Sequence, residues 1–152
     1  MIARARLPDV GMALAERHFE PLTRAGIAAY ADASGDRNAI HLDDDAAQRA
    51  GLPGVIAHGM LTMALLGRYL TDLVPQENVQ HFECRFVAMA FPGDRIACRG
   101  LVSDVQSSEN DRRHLVLDLQ AANQANQTLA AGRAIVEAPA AITQTTDGPD
   151  AL

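Results

Sequence analysis

The sequence predicts an α+β fold in which one antiparallel sheet wraps a single long buried helix, and two observations carry that prediction. Over residues 58–74, Met60, Leu61, Met63, Ala64, Leu65, Leu66, Leu70, Leu73 and Val74 leave almost no polar face. A helix that is apolar nearly all round has to be covered by something else in the chain. The cover follows in sequence. The segments 79–89, 94–105, 112–122 and 128–138 alternate with a period of two, most clearly in His114-Leu115-Val116-Leu117-Asp118-Leu119. Four consecutive strands joined by tight turns form an antiparallel sheet, and a sheet packed on a helix gives two layers around one core.

The earlier elements follow in order. A short strand is expected at 17–22. Thr23 then offers a side-chain oxygen to cap a helix, and Ile27, Tyr30, Ala31 and Ser34 share one face at helical spacing. Gly35 stands where a helix commonly ends in the left-handed conformation, so a helix is placed at Arg24–Ser34. The polar stretch 43–49 carries Ala46 and Ala47 and reads as a second, short helix, broken by Gly51, Pro53 and Gly54. Phe91-Pro92-Gly93-Asp94, 107–111 and 123–127 are the turns of the second half. The chain reads as one domain over residues 1–139 with a loose tail over 140–152, where Thr, Gln, Gly, Pro and Asp follow no period.

Composition narrows the function. The 152 residues carry 13 Lys+Arg against 19 Asp+Glu, a formal net charge of −6. That balance argues against nucleic acid as a partner, since phosphate neutralisation needs a basic face. The N-terminal MIARARLPDV has no apolar core of a signal peptide. The longest apolar stretch is interrupted by His58, Arg68 and Asp72, which suits a membrane span poorly. A cytoplasmic protein is the expectation. Cys84 and Cys98 both fall in expected strands and read as buried small side chains rather than a disulfide framework.

The chemistry concentrates in Tyr30-Ala31-Asp32-Ala33-Ser34-Gly35-Asp36-Arg37-Asn38-Ala39-Ile40-His41, followed after about twenty residues by Ile56-Ala57-His58-Gly59-Met60. Asp36 and His41 straddle a loop, so their side chains can converge on one water and move its protons. Histidine suits that task because its ordinary pKa is near neutrality. The start of the apolar helix offers backbone N–H groups without intrahelical partners, a ready place for an oxygen that gains negative charge. Gly59 lets a carbonyl approach that backbone without a Cβ in the way. Ile56, His58 and Met60, which flank Gly59, are candidates for substrate contact or for ordering the site. Other readings are weaker. Asp43, Asp44 and Asp45 with His41 lack the spacing of a calcium loop, and Ser34 lacks a G-x-S-x-G elbow. No metal ligand set is therefore assigned.

With an aromatic residue ahead of S-G-D-x-N-x-[ILV]-H-x-D and a later [IV]-x-H-G, here YADASGDRNAIHLDD and VIAHGMLTM, the chain resembles the MaoC-like family of (R)-specific enoyl-thioester hydratases and 3-hydroxyacyl-thioester dehydratases. The resemblance runs from about Phe19 through Thr62, and more loosely to about Val136. It implies a hot-dog fold, with the long helix enclosed by the sheet, and reversible hydration of trans-2-enoyl thioesters of coenzyme A or acyl carrier protein. It further implies Asp36 and His41 as the catalytic dyad, Asn38 as an organising hydrogen-bonding residue and the Gly59 N–H as oxyanion donor. No metal or redox cofactor is implied. The implied assembly is a dimer with sheets joined edge to edge; a heteromer with another hot-dog subunit, active only with its partner, is the alternative. One departure stands out: Ala39 occupies a position where the family has proline, so the catalytic loop is expected to be freer. A hot-dog thioesterase would place a carboxylate on the central helix, where only Asp72, near its far end, is available.

Overall fold

The computed structural model describes residues 8–107 and 113–138. At its centre lies α3 (Gly59–Leu73), in which Leu61, Leu65, Leu66, Tyr69, Leu70 and Leu73 are buried at successive turns, the spacing that gathers apolar side chains on one side of a helix. Val74 leaves the helix in an extended conformation, and Pro75, which has no N–H to donate, follows it. The expectation of a helix covered nearly all round needs correction. Met60, Ala64, Arg68 and Thr71 form an exposed stripe at helical spacing, because the sheet curls over only part of the circumference.

The sheet has five strands: β1 (Ala13–His18), β2 (Val79–Phe86), β3 (Ala97–Ser107), β4 (Arg113–Ala122) and β5 (Thr128–Glu137). Their order is β1-β3-β4-β5-β2, and every neighbouring pair is antiparallel. Leu115, Leu117, Leu119 and Ala121 of β4 belong to the same core as Leu65 and Leu66 of α3. On β5 the corresponding residues are small. A Cβ at Gly132 would lie 2.9 Å from Leu66 Cδ2 and 3.2 Å from the Glu83 carbonyl oxygen, so glycine there sets how closely helix and sheet nest.

Two strand expectations change. The first strand lies at Ala13–His18 rather than 17–22. Phe19 and Leu22 still donate to the Ile96 and Asp94 carbonyls, at 2.9 and 2.8 Å, but as an irregular extension of the ladder. More consequentially, β2 stops at Phe86 and pairs with β5, not with the next strand in sequence. Residues 87–96 therefore cross from one edge of the sheet towards the other as a long connection instead of a hairpin. Asp94 secures its end, accepting from the Phe91 N–H at 2.8 Å and from Gln124 Nε2 at 3.0 Å. The β4–β5 turn is closed by Asn123, whose side-chain oxygen accepts from the N–H groups of Ala125 and Gln127, with Asn126 left-handed at φ 59°. The expected turn at 107–111 and the expected tail at 140–152 fall almost wholly outside the described residues. No described helix is long and apolar enough to cross a membrane.

Candidate active site

Three local decisions of the chain build the site. First, α1 (Arg24–Ser34) is capped by the Thr23 hydroxyl, which accepts from the Gly26 N–H at 2.9 Å, and it ends at Gly35 with φ 78°. The left-handed glycine turns the chain sharply, which a residue with a Cβ does at a cost. Second, Asp36 and Asn38 shape the loop that follows. Asp36 Oδ1 accepts from the Asn38 N–H and Asn38 Oδ1 from the Ile40 N–H, at 3.3 and 3.2 Å, winding Ala39–His41 into one 3₁₀ turn. Third, α2 (Asp44–Arg49) carries the chain back towards α3. Asp44 braces this return: its carboxylate accepts from Arg24 at 2.7 and 2.9 Å and from the Val55 N–H at 2.9 Å. Those donors and the guanidinium charge hold the Asp44 carboxyl below its ordinary value.

The result is a reciprocal clasp between the two motif segments. His41 Nδ1 donates to the Ile56 carbonyl at 2.8 Å, and His58 Nε2 donates to the Asp36 carbonyl at 2.9 Å; each histidine holds the other's segment. A carbonyl only accepts, so both bonds define the ring nitrogen that carries the proton. In the neutral ring this leaves His41 Nε2 free to accept, and it faces Asp36 Oδ2 across 4.0 Å. A water placed between them would sit roughly 2.8 Å from each, an ordinary hydrogen-bond distance. The two imidazoles stack with centroids 3.7 Å apart and planes inclined by 24°, and Tyr30 packs obliquely against His58 at 5.0 Å. His58 is 2% exposed, and its Nδ1 has no hydrogen-bond partner among the described residues. A buried polar atom left so costs on the order of 1–3 kcal/mol.

A cleft of about 350 Å³ opens beside this pair, and among the described residues His41 is its only titratable lining residue. Gly59 and Thr62 of α3 form one wall, residues 86–90 the other, and Ile56, Ala57 and Leu129 complete it. The Leu61 and Thr62 N–H groups turn back to the His58 carbonyl, at 3.0 and 3.4 Å. Among the described residues, the N–H groups of Gly59 and Met60 have no backbone acceptor. The positive end of a fifteen-residue helix therefore opens at the cleft, where developing negative charge is favoured. The missing Cβ of Gly59 also lets Phe86 pack close: a Cβ there would meet three ring carbons of Phe86 at 3.2–3.3 Å.

The structure brings Asp36, His41, Ile56, His58 and Gly59 together. Asn38 acts through the turn it caps. Met60 does not join them: it is 54% exposed and absent from the cleft wall, since its position one residue after Gly59 points it out along the exposed stripe. His58 occupies the N-cap position of α3 but makes no capping bond with its side chain; its bond goes to Asp36 instead. Asp72, the one carboxylate on α3, is ion-paired with Arg17, away from the cleft. Asp36, His41 and His58 offer donor atoms within 4.8 Å of one another. Two stacked imidazoles direct their lone pairs along nearly parallel planes, however, which suits a shared tetrahedral ion poorly. Sequence reasoning missed the cleft residues Thr62, Phe86, Val87, Ala88, Met89, Ala90 and Leu129. The sequence reading runs one strand over 79–89, whereas β2 ends at Phe86 and the crossing that follows makes residues 86–90 a wall.

Residues 7–124 match the family model described as MaoC like domain. The chain belongs to that family. Among curated relatives, this MaoC-like chain is 29% identical over 115 residues to the mitochondrial 3-hydroxyacyl-[acyl-carrier-protein] dehydratase of Arabidopsis thaliana, covering 76% of this chain and 67% of that one. It is 39% identical over 71 residues to the fatty acid synthase beta subunit TOXC of Cochliobolus carbonum, covering 45% of this chain but only 3% of that much longer protein. Among solved structures, an (R)-hydratase from A. caviae involved in PHA biosynthesis superposes with a TM-score of 0.73 at 26% identity, covering 89% of this chain and 100% of that one. The hot-dog arrangement of this MaoC-like domain thus accords with the helix-in-sheet architecture expected from its sequence.

Proposed function

We propose that this MaoC-like chain is a hydro-lyase that adds water to trans-2-enoyl thioesters and, in reverse, dehydrates (3R)-hydroxyacyl thioesters in fatty-acid metabolism. The observation that carries this is His41, on the wall of an apolar cleft, facing the Asp36 carboxylate with its Nε2 at 4.0 Å, beside an open helix N-terminus. A water held by the pair gives up one proton as its oxygen adds to the β-carbon, and the dyad returns one proton to the α-carbon, so the sum is addition of H and OH across the double bond. Between those events charge collects on the thioester oxygen, which the Gly59 N–H stabilises. Asn38 orders the loop, Ile56 lines the cleft and fixes the His41 proton, and His58 organises both segments. Neither a metal nor a redox group enters this reaction, and the carrier is coenzyme A or acyl carrier protein, whose shared thioester arm is what the cleft accepts. The domain comprises residues 1–139, with 140–152 as a tail outside the reacting unit.

The reading extends to assembly. Met60, Phe86, Val87 and Met89 are exposed apolar residues near the cleft mouth, and β2 is an edge strand. A second hot-dog subunit, a copy of this chain or a related one, covers that face in the proposed assembly. Hydration of trans-2-enoyl-CoA of several chain lengths, followed by loss of the conjugated absorbance and by product chirality, tests the activity beside Asp36→Asn and His41→Ala. An R product, lost by about 10²–10⁴-fold in either variant, is expected. Turnover undiminished in both variants would overturn the assignment of the dyad. Sedimentation of the purified chain tests the assembly: a dimer is expected, and a monomer that becomes active only on mixing with a partner selects the heteromer.

A further inference from the structure

His58 is a costly residue for the place it occupies. It is 2% exposed, one of its ring nitrogens has no hydrogen-bond partner among the described residues, and it makes no capping bond to the helix it precedes. A phenyl ring could fill much of the same space without leaving a buried nitrogen unsatisfied. What the imidazole does that a phenyl cannot is donate from Nε2 to the Asp36 carbonyl, at 2.9 Å, while lying flat on His41 at a centroid distance of 3.7 Å.

Both members of the dyad need such a guide. The Asp36 side chain is 56% exposed, and within the loop its carboxylate accepts a long, 3.3 Å bond from the Asn38 N–H. His41 has its proton fixed on Nδ1 by Ile56, but a single hydrogen bond leaves the ring free to swing about it. The flat stack, 24° from parallel, restrains that swing. Tyr30, packed on His58 at 5.0 Å, steadies the stack from α1.

We propose that His58 is a positioning residue for the dyad: one ring, anchored on the Asp36 main chain and stacked on His41, sets the 4.0 Å separation across which the two groups share a water. This rests on the hydratase reading of the site, and it predicts a divorce between stability and rate that a merely structural histidine would not produce. His58→Phe keeps the stack and removes the orphaned nitrogen but loses the anchor. His58→Gln keeps a donor but loses the stack.

The test compares wild type, His58→Phe and His58→Gln by thermal unfolding and by steady-state hydration of trans-2-enoyl-CoA. Long-range proton–nitrogen NMR of the imidazoles in the resting protein runs in parallel. His58→Phe is expected to unfold at or above the wild-type temperature yet lose about 10- to 100-fold in kcat with KM within about twofold, the scale of a small misplacement of reacting groups. His58→Gln is expected to lose kcat as well, and to retain more of it than His58→Phe if it folds. The resting wild type should show the proton on Nε2 of His58 and on Nδ1 of His41. The proposal is overturned by a His58→Phe variant as fast as wild type, by melting temperature and kcat falling together in both variants, or by a His58 proton found on Nδ1. Should the wild type turn over no enoyl thioester, the hydratase reading fails on its own. The NMR assignment and the melting temperatures would still decide whether His58 anchors Asp36.

Discussion

Replacing Gly59 by alanine separates what the glycine does for the fold from what it does for the site. In the structure an added Cβ would lie 3.2 Å from Phe86 Cδ2 and Cγ and 3.3 Å from Cε2, a few tenths of an ångström inside ordinary contact. Phe86 is 48% exposed and ends the edge strand β2, so its ring can move outwards, and overpacking of this kind is expected to cost under about 1 kcal/mol, well below a rigid core site. Alanine is also the better helix former, though at this first helical position by less than the about 1 kcal/mol that separates it from glycine in a helix interior. The two effects nearly cancel, and the unfolding free energy should change by less than about 1 kcal/mol. The site fares differently. The new methyl crowds the open N-terminus of α3 where the thioester oxygen is proposed to sit. A displacement of roughly 1 Å there costs about 10²-fold in turnover, although the N–H itself is retained. Denaturant titration and steady-state hydration of an enoyl-CoA measure the two numbers on one preparation. A variant of unchanged stability whose kcat/KM stays within about threefold of wild type would refute the reasoning, because it would show that the thioester does not approach Gly59.

Three further outcomes are expected. Asp44→Asn removes the carboxylate that Arg24 and the Val55 N–H share. The folded carboxyl is held below its ordinary value of 3.8, so the stabilisation is present above that value and disappears as pH falls through the lower, folded one. Melting temperatures of the two proteins should therefore differ at pH 6 and converge below pH 3.8, and a difference that grows on acidification would contradict this sign. Gly132→Ala puts a Cβ 3.2 Å from a main-chain oxygen that cannot swing aside; a loss of about 1–3 kcal/mol is expected in denaturant unfolding, and a neutral result would mean that α3 is not nested as closely as described. Ala39→Pro should fit: Ala39 opens a 3₁₀ turn, Asn38 before it has φ −55° and ψ 129°, and no described group accepts from the Ala39 N–H. A gain of about 0.4–1 kcal/mol is expected, with kcat/KM little changed. A lower melting temperature would show that the loop needs that N–H or another φ.

The helices and the approach of Asp36 to His41 were legible because short-range physics determines them. Thr23, Gly35 and the apolar spacing between them mark both ends of α1, and the Asp36–His41 spacing points to a shared target however the rest folds. The central helix was recognisable for the same reason. Less legible was everything decided across the sheet. Alternation marked the strands, yet nothing in residues 79–89 said that β2 would pair with β5 and leave residues 87–96 to cross over. The cleft wall at Phe86, Ala88 and Ala90 follows from that pairing alone. The exposure of Met60 was not legible either, because helical spacing does not say which stripe of the central helix the sheet leaves uncovered. The tie between His58 and the Asp36 main chain was equally hidden, since a backbone acceptor leaves no trace in residue identity.

The separation of the clasp from the cleft wall bears on how such a protein changes over generations. The groups assigned to the reaction lie between Asp36 and Gly59, whereas much of the surface that would touch an acyl chain lies in residues 86–90 and at Leu129. Drift in the second set can alter the length or shape of the chain admitted without disturbing proton transfer in the first. Lineages can then diverge in diet while the chemistry stays inherited.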